Sequence, residues 1–252
     1  MILHDVTRGE GPTLVLLHGL FGQATNFATL QRRLAARFRV LALDLRNHGA
    51  SPHASGMDYG AMSRDVLETL HRLDALPCAL VGHSMGGKVA MAAALADASA
   101  VSRLLVADIA PKPYSPAHRA NAAAMAAMKL SPGITRAQAD AALAEAVPAA
   151  DIRAFLLQNL RLGDMPAWRI GLAEIIAGIA DIEDWPEPEG GPYPGPTLFV
   201  AGERSDYIRE SDRPAIRASF PASRFVTLRG AGHWLHVDAP AAFAAVVEAF
   251  LG

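Results

Sequence analysis

Residues 82–86 read Gly-His-Ser-Met-Gly, and their setting constrains the fold more than any other stretch of the chain. Before them, Cys78-Ala79-Leu80-Val81 is a short apolar run of strand character, while from Ser84 through Val89, Met91 and Leu95 the pattern is helical. A strand that turns into a helix at a single serine holds that serine in a strained conformation with its hydroxyl pushed clear of the chain. Gly82 and Gly86 carry no Cβ, so strand and helix can close on each other there. The first helical N–H groups point back toward the hydroxyl, where they would stabilise negative charge. Five residues of this kind recur by chance. The rest of the chain must supply a base, an acid and further N–H donors in a compatible order.

Apolar, β-branched runs alternate with helical patterns, which predicts a mostly parallel sheet covered by helices. Strands are expected over Thr13–His18, Arg39–Asp44, Cys78–Gly82, Arg103–Asp108, Thr197–Gly202 and Arg224–Leu228, with Ile2–Thr7 as an antiparallel edge strand ended by Gly9-Glu10-Gly11-Pro12. Helices are expected over Thr29–Arg37, Tyr59–Leu73, Ser84–Ala96, Glu210–Ser219 and Ala239–Phe250. The alternation breaks between Ile109 and Gly195, a stretch rich in Ala, Met and Leu that reads as three or four helices and ends in the Pro- and Gly-rich run Pro186–Pro196. It is expected to be a helical cap over residues 111–194, inserted into a core formed by residues 1–110 and 195–252.

Composition excludes several classes. A chain of 252 residues that is 51% hydrophobic and 19% charged is globular, and a net charge of −2 gives no electrostatic footprint for nucleic acid. The longest apolar runs, such as Leu14–Leu17, are strand-sized, so no membrane span is expected. Nothing near Met1 reads as a signal peptide, and Cys78 is the only cysteine and belongs to an inner strand; a cytoplasmic location is the expectation. There is no H-E-x-x-H and no Cys/His cluster, so neither a metal nor a cofactor is expected.

A serine hydroxyl becomes a useful nucleophile when an imidazole takes its proton. His233, in Gly230-Ala231-Gly232-His233-Trp234, directly follows the last expected strand. Loops at the carboxyl ends of parallel strands gather on the edge where Ser84 also lies. His236 competes but lacks the flanking glycines. Two aspartates can hold the imidazole: Asp108 at the end of the strand Arg103–Asp108, and Asp206 in Gly202-Glu203-Arg204-Ser205-Asp206. Spacing alone leaves them near parity. An oxyanion hole needs two N–H groups. Met85, after the serine, supplies one, and the loop His18-Gly19-Leu20-Phe21-Gly22 the other, with Leu20 the better candidate and Phe21 the fallback. The Phe21 side chain is expected to line an acyl pocket and His18 to brace its loop. Met125, Met128, Leu156, Leu160, Met165 and Trp168 are candidates for an apolar roof, with Trp168 in contact with substrate; mutual burial of the cap helices explains them equally well.

Ser84, a later aspartate and His233 in that order, with the His18-Gly19 loop upstream, resemble an α/β-hydrolase over essentially the whole chain. The segments Asp44-Leu45-Arg46-Asn47-His48-Gly49-Ala50-Ser51, Gly82–Lys88 and Phe155-Leu156-Leu157-Gln158-Asn159-Leu160-Arg161 are similar to those of YbfF-type esterases and their mitochondrial abhydrolase relatives. The resemblance implies a sheet of about eight strands with a helical cap. It also implies Asp108 as the acid: where many α/β-hydrolases carry an aspartate in G-x-x-D, this chain has Ser205, with Asp206 one residue late. The activity it implies is hydrolysis of small to medium acyl esters by Ser84, Asp108 and His233 through an acyl-enzyme. An acyl-CoA thioesterase, a carbon–carbon bond hydrolase or a perhydrolase would use the same residues, and a non-catalytic binding protein could share the fold.

Overall fold

The computed structural model describes residues 1–116, 118–186 and 191–252; part of the Pro- and Gly-rich run, residues 187–190, lies outside the described residues. In chain order the first elements are β1 (Asp5–Arg8), β2 (Thr13–Leu17), α1 (Ala28–Leu34), β3 (Arg39–Leu43), α2 (Tyr59–Arg72), β4 (Cys78–His83), α3 (Met85–Ala96) and β5 (Val101–Ala107). The segment after β5 carries α4 (Arg119–Ala127), α5 (Arg136–Leu143), α6 (Ala150–Leu157), the hairpin β6 (Leu160–Arg161) and β7 (Ala167–Trp168), α7 (Leu172–Ala177) and α8 (Ile179–Glu183). The chain then returns through β8 (Thr197–Gly202), α9 (Arg213–Ser219), β9 (Ser223–Leu228), α10 (Leu235–Asp238) and α11 (Pro240–Leu251).

The main sheet has the order β1-β3-β2-β4-β5-β8-β9, parallel except for β1, which pairs antiparallel with β3 at one edge. Among the described residues it has seven strands, one fewer than the resemblance implies. β1 closes that edge, with Thr7 and Arg8 exposed although they pair with Leu41 and Val40.

The inner strands read as unbroken apolar runs because both faces are covered. Alternate residues go to opposite faces. Val15, Leu17, Leu41, Leu80, Leu104 and Val106 pack beneath α2 and α3, while Leu14, Leu16, Val40, Val81, Leu105 and Val200 meet α1 and α11. The chain leaves β2 for β3 on one side, then crosses back to β4 on the other, so the strand order reverses between β2 and β4. The carboxyl ends of these two strands open a crevice there. Into it run the loop after β2, carrying Gly19 to Gly22, and the turn after β4, carrying Ser84. Among the described residues no helix is long and apolar enough to cross a membrane.

Three local expectations differ from the structure. Among its described residues the segment after β5 holds five helices and a hairpin, not three or four helices, and Trp168 belongs to the hairpin. A short helix, α10, follows His233. The helix expected over Glu210–Ser219 opens with a 3-10 turn at Glu210–Asp212, and α9 proper starts at Arg213 with Pro214 in its first turn.

Candidate active site

Ser84 sits at the junction of β4 and α3 with φ 53° and ψ −123°. A side chain in that left-handed half of the map is strained and persists only when its surroundings fix it. The surroundings here are close-packed backbone. A Cβ on Gly82 would lie 2.2 Å from the Gly86 carbonyl oxygen, and one on Gly86 would lie 2.3 Å from that of Leu17. The Ser84 N–H donates to the Ala107 carbonyl at 3.0 Å, tying the turn to the neighbouring strand.

His233 Nε2 lies 3.0 Å from Ser84 Oγ, and His233 Nδ1 lies 2.7 Å from Asp108 Oδ2. The ring has a carboxylate on Nδ1, so that nitrogen carries the proton and Nε2 is free to accept from the serine. The Asp108 side chain is fully buried. Its Oδ1 accepts from the Gly202 N–H at 3.0 Å, and its Oδ2 accepts from the Ser205 hydroxyl as well as from His233. Asp206 stands at the rim of the smaller cavity beside Ser84 and is turned away from His233: its side chain is 91% exposed and sits 3.9 Å from Arg209. The expected residues Ser84, Asp108 and His233 are therefore brought together, and Asp206 is not.

The loop that carries His233 is held from three sides. His83 Nε2 lies 2.8 Å from the His233 carbonyl and donates to it, the Gly232 N–H donates to Asp238, and the Arg204 N–H donates to the Ala231 carbonyl. Tyr207 stacks on the imidazole, its ring 4.1 Å away and within 20° of parallel. His236, the competing histidine, is turned inward. Burial, with the charge of His233 nearby, lowers it to about 4.

Two more buried histidines shape the loop after β2. His18 Nδ1 donates to the Gly19 carbonyl, and its Nε2 accepts from the Leu45 N–H. His48 Nδ1 donates to the Arg46 carbonyl, and its Nε2 accepts from the Phe21 N–H at 3.1 Å. Each ring serves as donor and acceptor at once, which requires the neutral form. Burial lowers His18, and lowers His48 to about 3. The Phe21 N–H is thereby engaged, which leaves Leu20 as the available donor of the two expected from this loop. Leu20 and Met85 both border the space beside Ser84.

Asp44 explains much of the motif from Asp44 to Ser51. Its carboxylate accepts from the N–H groups of Ala24 and Ala50, and a Cβ on Gly49 (φ 56°) would fall 2.1 Å from its Cγ. Arg46 is buried against Asp65 at 2.6 Å.

Phe21 and Leu156 border the larger cavity at Ser84. Trp168 does not reach the site. Its indole N–H donates to the Met125 carbonyl at 3.0 Å, and its ring packs on the small cluster of Ala139, Leu143, Leu157 and Leu160. Met125 is fully buried, Leu160 belongs to that same small cluster, and Met165 is 79% exposed. Met125, Leu160 and Trp168 bury the elements of this segment against one another, as their apolar spacing equally allows, whereas Met165 faces solvent.

Four side chains near the serine were not foreseen as site residues. Ser205 was visible as a departure from G-x-x-D, and His83 as part of the pentapeptide, but nothing in the sequence points to Tyr207. The fourth, Lys88, lies one turn along α3 from Ser84, buried, donating to the Asp184 carbonyl at 2.7 Å. Burial lowers its ammonium to about 7, against the opposing pull of Asp184.

The sequence profile of the alpha/beta hydrolase family matches residues 14–246. A mouse (Mus musculus) protein named sn-1-specific diacylglycerol lipase ABHD11 is 42% identical over 249 residues, covering 95% of this chain and 81% of its own. The esterase YbfF of Escherichia coli (strain K12) is 33% identical over 239 residues, covering 94% and 92%. Among solved structures, a marine microorganism esterase superposes with a TM-score of 0.95 at 35% identity, covering 99% of both chains.

Proposed function

The chain belongs to the alpha/beta hydrolase family, and from that premise we propose that it is a carboxylesterase-like serine hydrolase that cleaves small to medium acyl esters through an acyl-enzyme. The observation that carries this reading is the continuous relay from Ser84 Oγ through His233 to the buried Asp108 carboxylate, with links of 3.0 and 2.7 Å.

In this reading Ser84 Oγ attacks the ester carbonyl while His233 Nε2 takes its proton. Asp108 fixes the tautomer and stabilises the imidazolium; Gly202 and Ser205 fix Asp108. The N–H groups of Leu20 and Met85 hold the tetrahedral oxyanion, each worth about 3–4 kcal/mol. His233 returns the proton to the leaving oxygen, and water activated by the same nitrogen releases the acid. Residues 111–194 act as a cap: His118, Asn121, Ile152, Phe155 and Gln158 of that segment border the cavity that reaches Ser84.

Labelling with a fluorophosphonate probe tests the reading. The wild type is expected to label at Ser84 and to hydrolyse 4-nitrophenyl esters, and Ser84→Ala to do neither. Equal labelling of both proteins, or none of the wild type, would refute it.

A further inference from the structure

Ser84 stands where two cavities meet, and the two touch different parts of the relay. The smaller, of about 220 Å³, is bordered by Met85, Lys88, Ile109 and Ile182. The larger, of about 890 Å³, is bordered by His233, Trp234, Phe155 and Ile152. Leu20, Ser84, His118 and Tyr207 border both, whereas His233 borders only the larger and Met85 only the smaller.

A tetrahedral carbon on Ser84 Oγ carries three other substituents. The oxyanion turns to the N–H groups of Leu20 and Met85. The leaving oxygen must come within hydrogen-bond reach of His233 Nε2, because the proton taken from Ser84 is the one handed on. The alcohol half therefore departs into the cavity that His233 borders, and the acyl remainder is left with the other.

On this basis, and resting on the serine-hydrolase reading above, we propose that the substrate is an ester of a compact acyl group with a bulky, largely apolar alcohol. The acyl group occupies the 220 Å³ cavity and the alcohol the 890 Å³ cavity. The larger volume lies within the roughly 300–1,000 Å³ of cavities that hold drug-sized ligands, and the smaller lies below it. The smaller cavity is lined by charged and polar side chains beyond its apolar mouth: Glu183, Asp206 and Arg209 border it with Lys88, Tyr59 and Tyr114. The Lys88 ammonium, bonded to the Asp184 carbonyl, lies 5.2 and 5.0 Å from the ring centres of Tyr59 and Tyr114. The Tyr59 hydroxyl donates to the Ile182 carbonyl. A long alkyl chain would have to end against that ammonium at the cost of its remaining contacts. The larger cavity instead offers the Phe155–Trp234 ring pair and, at its rim, Val237, which is 63% exposed. In the reaction the Oγ–acyl bond forms, the acyl–alcohol C–O bond breaks, the alcohol leaves with the serine proton, and water then cleaves the acyl-enzyme to the short acid.

Two ester series test the assignment: 4-nitrophenyl esters from acetyl to dodecanoyl, and acetates of alcohols from methanol to 2-naphthylmethanol followed by pH-stat. In the wild type kcat/KM is expected to fall at least tenfold beyond the short acyl chains and to rise at least tenfold with alcohol size. Ile182→Ala should extend the tolerated acyl length by at least two carbons without reordering the alcohols. Phe155→Ala should flatten the alcohol ranking without reordering the acyl chains. A preference for long acyl chains on small alcohols, or the two variants exchanging effects, would overturn the assignment while leaving the hydrolase intact. Failure to cleave any ester together with an unlabelled Ser84 would overturn the hydrolase reading as well.

Discussion

Asp108→Asn tests the relay at its most buried link. Three donors converge on the Asp108 carboxylate: the Gly202 N–H on Oδ1, and His233 Nδ1 and the Ser205 hydroxyl on Oδ2. An ionised carboxylate accepts all three, but an asparagine amide has one accepting oxygen and an NH₂ that only donates. The Gly202 N–H is fixed by the backbone and claims the oxygen, so the NH₂ falls on the side that faces His233. The imidazole can answer only by moving its proton to Nε2 and accepting at Nδ1. An Nε2–H aimed at Ser84 cannot take the serine proton. In the well-studied serine proteases this wrong tautomer costs about 10⁴ in kcat, or about 5 kcal/mol. Loss of a charge-assisted bond in the fully buried site should also lower stability by about 1.5–3 kcal/mol. Asp206→Asn changes an exposed side chain, and surface changes of that kind stay within about 0.5 kcal/mol, or about twofold. The assay is kcat and KM on a 4-nitrophenyl ester for both variants, with thermal melting to show that each is folded. If Asp206→Asn loses thousands-fold while folded Asp108→Asn keeps most of its turnover, the geometric reasoning fails.

Three further outcomes are expected. Ser205→Ala should lower kcat about tenfold with KM unchanged, because it removes one hydrogen bond to a charged group that bears on the transition state; Ser205→Asp in an Asp108→Asn background should recover part of the lost turnover by restoring a carboxylate beside His233. Stability, read as the urea midpoint, should be highest above pH 6.5 and fall as the pH drops toward 4: in that window the unfolded chain takes up protons that His236 (about 4) and His48 (about 3) refuse in the fold, and His236 alone accounts for about 3 kcal/mol. Ser84→Gly should melt higher than Ser84→Ala although both are inactive, because only glycine relaxes the φ of 53°; equal melting temperatures would show that the turn stores no strain.

The main sheet was legible because buried strands leave a simple signal. The six expected parallel strands begin and end within two residues of those observed; the inner ones carry apolar runs covered on both faces, and the edge strand β9 shows itself by Phe225, Val226 and Leu228 before the turn at Gly230. The hairpin β6–β7 gives no such signal: two residues a side are too few to show a period within a stretch whose composition reads as helical. The acid was ambiguous for a different cause. β5 and β8 are parallel neighbours, with Val106 opposite Phe199, so the residues following each emerge at the same level of the same edge. Chain spacing cannot separate two carboxylates delivered by adjacent strands. What separates them is direction: Asp108, at φ 53°, turns back toward the sheet, and Asp206, four residues past the end of β8, points into solvent. His83 and Tyr207 were missed because their part is to hold His233, which only the folded loop reveals.

The distribution of strain shows what the fold is organised around. Among the described residues five non-glycine positions have positive φ, and Phe21, Ser84 and Asp108 are three of them. All three border Ser84 or its relay: Ser84 and Asp108 directly follow the neighbouring strands β4 and β5, and Phe21 lies in the loop after the adjacent β2. Each such conformation costs about 1–3 kcal/mol and persists only where the surroundings over-determine it. Here the surroundings are specific. The Phe21 N–H is fixed by neutral His48, the Ser84 N–H by the Ala107 carbonyl, and the Asp108 N–H by the Val200 carbonyl. Ser84 and Asp108 each stay in the ladder as donors while their backbone leaves strand geometry, so the sheet continues one bond beyond the point where the side chains swing out. That arrangement lets a rigid sheet edge, and not a mobile loop, set the separation between nucleophile and acid. It leaves only His233 on a loop, and that loop is the one held by His83, Arg204 and Asp238.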